Sequence, residues 1–397
     1  MTRSHYLDII RGLACLQVLL LHIAEAFFPA LATEKITDFT IGGLVHGSPL
    51  YLIYDGYTGV FIFFLLSGYV LTPSFNKDVP PHKQLIARWG RLIVPAFSAC
   101  FLSLVIYWAL GGAALTSQAA ALSGSVFLKD WWQPDLNWHA FIKDSMINSV
   151  MLGYAETNAL ITDRYLDSIA TAYVAPLWTL SVELHGSILV LMLVTLHKRH
   201  SFLYGLCLLV FCILVIRSYY ILFIIGHLLA LAHRDEWKVD KPSGAFIYII
   251  AGGILCVMGE VKTFALFESV CSADLPFSLD CSGHTQKMVG SIVLFYGLLI
   301  SQSAQAILKG KILQWLGTHS FPIYLVHWPI LCGLGSSAAI GFNQLLPGTP
   351  MMACLFAAGV TLCLTLIGAR YFLHIDHIAI RFSRWLREGP KQTQLKS

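Results

Sequence analysis

The run Leu7-Asp8-Ile9-Ile10-Arg11-Gly12-Leu13-Ala14-Cys15-Leu16-Gln17-Val18-Leu19-Leu20-Leu21-His22-Ile23-Ala24-Glu25-Ala26-Phe27-Phe28 has the length of a membrane-spanning helix, yet it carries four ionisable side chains where such a span ordinarily carries none. At about 100° per residue, the step from Arg11 to His22 amounts to about 1100°, within roughly 20° of three whole turns, so the two share a face. Asp8 and Glu25 fall within roughly 60° of that face, and the four groups form a line about 25 Å long. A single charge in hydrocarbon costs at least about 2.5–3.5 kcal/mol on insertion scales, so such a line faces protein or a wet cavity and marks a functional path. The alternative is a snorkelling Asp8 and an inert, buried His22.

The rest of the chain fits the same setting. Of its 397 residues, 56% are hydrophobic and 12% charged, where a soluble domain carries about 25% charge. The fold class that follows is all-α, a polytopic membrane helix bundle. Ten spans are expected, near 7–28, 56–74, 89–110, 174–195, 202–216, 219–232, 244–259, 286–305, 320–340 and 351–373. The pair 202–216 and 219–232 is short and parted only by Arg217 and Ser218. One integrated domain, 1–397, ending in a basic tail over 380–397, is the simplest organisation.

Lysine and arginine set the expected orientation. Alternate connections hold Lys77, Lys83, Arg88 and Arg91, then Lys198 and Arg199, then Arg234, Lys238 and Lys241, then Lys309 and Lys311. The tail adds Arg381, Arg384, Arg387, Lys391 and Lys396, while all the opposite connections together hold only Lys35, Lys129, Lys143, Arg164, Arg217, Lys262 and Lys287. Both termini are therefore expected on the cytoplasmic side of a cytoplasmic (inner) membrane. Arg11 interrupts the apolar run and no small-residue cleavage site follows, so the first span is expected to stay attached. The net charge of +4 is absorbed by this topology and implies no nucleic-acid partner. Eight of the ten cysteines lie in or beside spans; Cys271 and Cys281 sit together in an outside connection, where an oxidising compartment would permit a disulfide. No metal-ligand spacing occurs, and no metal is expected.

Four further stretches could carry chemistry. The second span ends Phe61-Ile62-Phe63-Phe64-Leu65-Leu66-Ser67-Gly68-Tyr69, with small residues suited to close helix packing or to ligand contact. Arg88-Trp89-Gly90-Arg91-Leu92-Ile93-Val94-Pro95 places two guanidiniums three residues apart at a cytoplasmic mouth. Each can fork onto a phosphate, or the pair can simply anchor the span. Pro176-Leu177-Trp178-Thr179-Leu180-Ser181-Val182-Glu183 carries a carboxylate one turn into an apolar run, as partner to a cation or as a proton-handling group. In Phe321-Pro322-Ile323-Tyr324-Leu325-Val326-His327-Trp328-Pro329, Tyr324 and His327 share a face, either as an interfacial cluster or as part of a site. Between them, connection 111–173 holds Trp131, Trp132 and Trp138 among Asp135, Asn137 and His139. That is the make-up of a sugar platform, and equally of a membrane-interface belt.

These blocks, in this order, resemble the acyltransferase-3 family of integral membrane proteins. The matching stretches are Tyr6 to Leu13 running on to His22, Gly59 to Gly68, Arg88 to Arg91 with Pro95, Pro176 to Glu183, and Ser320 to Pro329. The resemblance implies a membrane O-acyltransferase that moves an acyl group, most often acetyl from acetyl-CoA, onto a carbohydrate hydroxyl of a surface polysaccharide, lipopolysaccharide or glycosylated product. Carried over residue by residue, it implies His22 as catalytic base, Arg11 as its companion, and Arg88 and Arg91 as the donor-handling pair. Glu25 or Glu183 would hold the imidazole in the tautomer that accepts a proton. Two departures stand out. The family's last helix commonly ends in Glu, a basic residue and Pro, whereas this chain reads Leu373-His374-Ile375-Asp376-His377-Ile378, with Asp376 in place of Glu and no Pro. With about 24 residues after the last span, the bare membrane form without a fused hydrolase-like domain is expected. The competing class is a transporter or flippase, since ionisable groups also line transport paths, but the paired interrupted helices of many transporters are missing from the sequence. A receptor-like scaffold would leave the alignment of Arg11 with His22 unexplained.

Overall fold

The computed structural model describes residues 3–33, 45, 48–157, 166–216, 218–234, 242–258 and 284–389. Among these there is no strand, and α-helices of ten residues or more are numbered here in chain order. Helix α1 (Arg3–Phe27) stops before Pro29, whose ring disfavours helical backbone at the residue before it. Helix α2 (Gly56–Phe75) is capped by Asp55, whose carboxylate accepts from the Thr58 amide and, at 2.6 Å, from the Thr58 hydroxyl. Helix α3 (Pro81–Leu110) opens on a proline, where the missing N–H costs nothing, and ends at Gly111 with φ +94°. Then come α4 (Gly112–Ser123), α5 (Trp178–Arg199), α6 (Ser201–Val215), α7 (Tyr220–Arg234), α8 (Pro242–Val257) and α9 (Thr285–Ile300). Helix α10 (Lys311–Pro329) passes through a wide turn at Ile330–Gly335 into α11 (Ser336–Leu345), and α12 (Pro350–Glu388) closes the chain.

The expected spans fall largely on helix among the described residues, but the one expected at 286–305 ends at Ile300 and is followed, after Ser301, by a separate short helix Gln302–Ile307. Six helical stretches among the described residues are long and apolar enough to cross a membrane: His5–Phe27, Gly56–Phe75, Pro81–Leu110, Ala175–Arg199, Lys311–Leu345 and Pro350–Glu388. The apolar helices Ser201–Val215, Tyr220–His233, Gly244–Val257 and Thr285–Ile300 are shorter. Two further expectations change. The segment expected at 320–340 runs from Lys311 to Leu345, because the wide turn after Pro329 absorbs the proline's missing N–H and lets the helical path continue. The span expected at 351–373 continues unbroken to Glu388, since no proline lies between Asp376 and Glu388, and the expected tail is thus helix as far as Glu388. Cys271 and Cys281 lie outside the described residues.

Helix α1 packs chiefly against α10 and α2. Glycines set how close it comes. A Cβ on Gly12 would lie 2.7 Å from the Gly317 amide nitrogen, and one on Gly317 would lie 2.7 Å from the Asp8 carbonyl, so the α1 and α10 backbones touch where the arginine of α1 emerges. In α2, a Cβ on Gly68 would strike the Phe223 carbonyl of α7, and one on Gly226 would strike the Leu65 carbonyl. Gly68 is therefore a packing residue, while its neighbour Ser67 turns inward. Lys287, expected in an outside connection, belongs to α9 and pairs with the fully buried Asp55 at 2.9 Å, tying α9 to the start of α2.

Candidate active site

The polar stripe of α1 resolves into two i,i+3 pairs. At one end Arg11 Nη1 meets Asp8 Oδ1 at 2.8 Å, and at the other His22 Nδ1 meets Glu25 Oε2 at 2.8 Å. Along the helix Arg11 and His22 are about 16 Å apart. The two pairs occupy different surroundings.

The Arg11 end opens into a cavity of about 470 Å³ between α1, α2, α3, α5, α10 and α12. Three ion pairs line it: Arg11 with Asp8, Arg88 with Glu183, and Arg91 with Asp376 at 2.6 Å. Glu183 Oε1 also accepts from Ser67 Oγ at 2.7 Å, and Arg88 Nε donates to Ser187 Oγ at 3.0 Å. The Arg91 guanidinium lies 5.0 Å from the centre of the Phe321 ring, and its buried Nη1 finds no hydrogen-bond partner among the described residues. Helix spacing puts both α3 arginines on the cavity side, and α5 and α12 each supply one carboxylate to hold them. A guanidinium carries five N–H donors, so these pairs leave donors for an incoming anion.

The His22 end is an aromatic column. The His22 ring stacks on His327 (centroids 5.4 Å, 12°) and on Phe127 (5.5 Å, 19°), which stacks on Trp131 (5.9 Å, 24°), while Trp328 meets His22 edge-on. With Glu25 ionised, Nδ1 carries the ring proton and Nε2 is the acceptor. His327 Nδ1 is 2.7 Å from the Tyr324 carbonyl, and its buried Nε2 has no partner among the described residues. Glu25 is thus the carboxylate beside His22, and Glu183 belongs to the arginine cavity.

Between the two ends stands Tyr324. Its hydroxyl contacts Thr179 Oγ1 at 2.6 Å and donates to the Pro176 carbonyl. It lines the arginine cavity and lies 5.8 Å from the His327 ring. Phe127, Thr179 and Ser187 were not singled out from sequence. Thr179 and Ser187 carry a local signal, four residues before and after Glu183 on the same helix; Phe127 reaches His22 across more than a hundred residues.

The three tryptophans divide. Trp132 is 1% exposed, its indole N–H shared by Ser103 Oγ and the Tyr173 carbonyl at 3.1 Å each, so it is a core residue and no sugar platform. Trp131 (39% exposed) caps the column above His22, and Trp138 (69% exposed) stacks on Phe141. Within that connection, Asp144 is buried against the Tyr154 hydroxyl at 2.7 Å and the Tyr173 amide at 3.0 Å. Burial pushes its carboxyl up to about 6, against the two hydrogen bonds that favour the charged form.

A helical membrane chain with ion-paired arginines at one depth and a carboxylate-held histidine at another has the make-up of a group-transfer enzyme. The profile of the acyltransferase-3 family, described as an acyltransferase domain, matches residues 4–267, and the chain belongs to this family. An O-acetyltransferase of Phomopsis amygdali, PaAT-1, is 22% identical over 415 residues, covering 94% of this chain and 80% of that protein. No solved structure matches the chain. The matched segment contains Arg11, His22, Glu25, Arg88, Arg91 and Glu183; Tyr324, His327 and Asp376 complete the site from beyond it.

Proposed function

We propose that this protein transfers an acetyl group from acetyl-CoA to a carbohydrate hydroxyl of a surface polysaccharide, lipopolysaccharide or glycosylated product. In this reading it is a ten-span protein of a cytoplasmic membrane with both termini inside, so that the arginine cavity faces the cytoplasm. Support for the donor comes from Arg91, whose buried, unused Nη1 suits a phosphate, and from Arg88 beside it. Acetyl-CoA supplies an activated acyl thioester. Arg88 and Arg91 hold phosphate, with Glu183 and Asp376 keeping both guanidiniums in place while the site is empty of anion.

The observation that carries the mechanism is the 2.8 Å contact of His22 with Glu25. Glu25 fixes Nδ1–H, leaving Nε2 to take the proton that the acceptor hydroxyl loses as its oxygen bonds the carbonyl carbon. His22 then returns that proton to the departing sulfur as the carbon–sulfur bond breaks. Glu25 stabilises the imidazolium between the two steps. Trp131, at the open end of the column, offers the acceptor sugar a flat face. Arg11 lies too far along α1 to touch the same atom and acts from the donor side.

Membranes containing the protein, incubated with radiolabelled acetyl-CoA and extracted glycans, test this. Label recovered in the glycan as an alkali-labile ester is the expected result. Acceptor movement across the membrane without transfer of label would overturn it in favour of a transporter.

A further inference from the structure

The arginine cavity has a continuation. A second cavity of about 140 Å³ shares Leu71, Arg88 and Arg91 with it and is walled on its far side by Lys77, Ser383 and Arg387. Four cations and no carboxylate side chain line this space. Arg387 owes its place to the missing proline. Asp376, Ser383 and Arg387 are spaced by seven and by eleven residues from the first, within roughly 20° of whole turns, so an unbroken helix holds all three on one face. That face lies on α3: Asp376 pairs with Arg91, Ser383 Oγ donates to the Ala87 carbonyl at 2.7 Å, and Gly90 leaves room for Phe382 and Leu386. A proline after Asp376 would end the helix about three turns short of Arg387. On the opposite wall, the loop bearing Lys77 is held by Gln84, whose amide donates to the Val79 carbonyl at 2.7 Å.

We propose that Arg387 and Lys77 form a second phosphate-binding station at the mouth of the arginine cavity, one that takes the ribose phosphate of the acyl donor. This deepens the donor reading given above and rests on it. Coenzyme A carries phosphate at two places, a diphosphate next to its pantetheine arm and a monophosphate on the ribose. Arg88 and Arg91 suit the inner group and Arg387 with Lys77 the outer one. The pair Arg387–Glu388 at 2.7 Å does not oppose this, because it is a solvent-exposed contact between adjacent residues, of a kind that contributes little and exchanges readily for a phosphate fork. The chemistry recognised is phosphate, which a lipid headgroup also offers.

The test is direct binding of CoA, by titration calorimetry, to purified protein in nanodiscs of zwitterionic lipid. Arg387→Ala is expected to weaken CoA about five- to tenfold and to flatten its salt dependence, with the melting temperature unchanged. Arg387→Lys, which keeps the charge and loses the fork, recovers part of the affinity. The loss for 3′-dephospho-CoA is expected to be smaller. CoA bound equally well by wild type and Arg387→Ala overturns the station and leaves the donor reading standing. A defect that appears only in anionic-lipid discs assigns the site to headgroups and also overturns it. If Arg387→Ala melts lower, the Lys variant decides, since full loss there at normal stability refutes the charge argument. Failure of the wild-type protein to bind CoA at all overturns the donor reading itself.

Discussion

Glu25→Gln separates the two carboxylates that sequence left as equal partners for His22. Gln keeps the size and can still accept from Nδ1–H, but it removes the negative charge that faces the imidazolium during transfer. Hydrogen bonds to charged groups contribute about 1.5–3 kcal/mol, which at 1.36 kcal/mol per decade is about 10- to 150-fold in rate. The His22 and Glu25 side chains are 18% and 25% exposed, so solvent screening places the effect toward the lower half of that range. The assay is initial-rate kinetics in proteoliposomes with acetyl-CoA varied at fixed acceptor. The expected result is a fall in kcat with an unchanged KM for the donor, because Glu25 lies outside the arginine cavity. Glu183→Gln is expected to do the reverse, raising the donor KM as Arg88 loses its partner. A kcat for Glu25→Gln within twofold of wild type, or a loss confined to donor KM, would refute the assignment.

His22→Gln is expected to reach the membrane at normal abundance, bind CoA and lose about 10²–10⁴-fold in the chemical step, whereas His327→Gln retains measurable turnover; rapid-quench measurement of the single-turnover rate checks both. Gly317→Ala would push a methyl group to within 2.7 Å of the Asp8 backbone, and the separation of α1 from α10 that follows is expected to cost about 1–3 kcal/mol or more, seen as a lowered melting temperature in detergent. Gly341→Ala, with no atom within 4 Å of its would-be Cβ, is the control and should melt as wild type. Asp144 sets a pH dependence: its folded pKa of about 6 stands above the ordinary 3.8, so the folded state holds the proton more tightly. Its contribution is therefore complete below about pH 4 and lost as pH rises through 6, roughly 3 kcal/mol in all. Hydrogen-exchange protection factors of segment 138–157, which are taken relative to the intrinsic exchange rate at each pH, should rise on acidification over that window, and Asp144→Asn should abolish the rise.

Sequence legibility followed distance along the chain. The stripe on α1 could be read because Asp8, Arg11, His22 and Glu25 lie on one helix, whose period is fixed, and both i,i+3 pairs formed as that period requires. Apolar length placed the six helices long enough to cross a membrane and located the four shorter apolar ones, though it missed the break at Ser301. It could not show that α12 continues to Glu388, since a polar helix past the membrane depends on its packing against α3. The pairings of Arg88 with Glu183 and Arg91 with Asp376 join residues 95 and 285 positions apart, and residue type offered no way to choose between phosphate and carboxylate partners. Trp132 misled for a related reason. A tryptophan in a polar connection reads as exposed, yet the buried acceptors Ser103 and Tyr173 satisfy its N–H and draw it inside.

The contact of Tyr324 with Thr179 and Pro176 bears on the membrane as well as on the reaction. On one side lies the charged cavity that Tyr324 lines, on the other the His327 ring 5.8 Å away and the partly exposed imidazole of His22 stacked on it. Were the Tyr324 contact to gape, water could thread from one face to the other along groups able to pass protons, and the cell's electrochemical gradient would drain through the enzyme. If the donor thioester enters from the arginine cavity, as proposed above, its passage to His22 has to be reconciled with a barrier to ions at Tyr324.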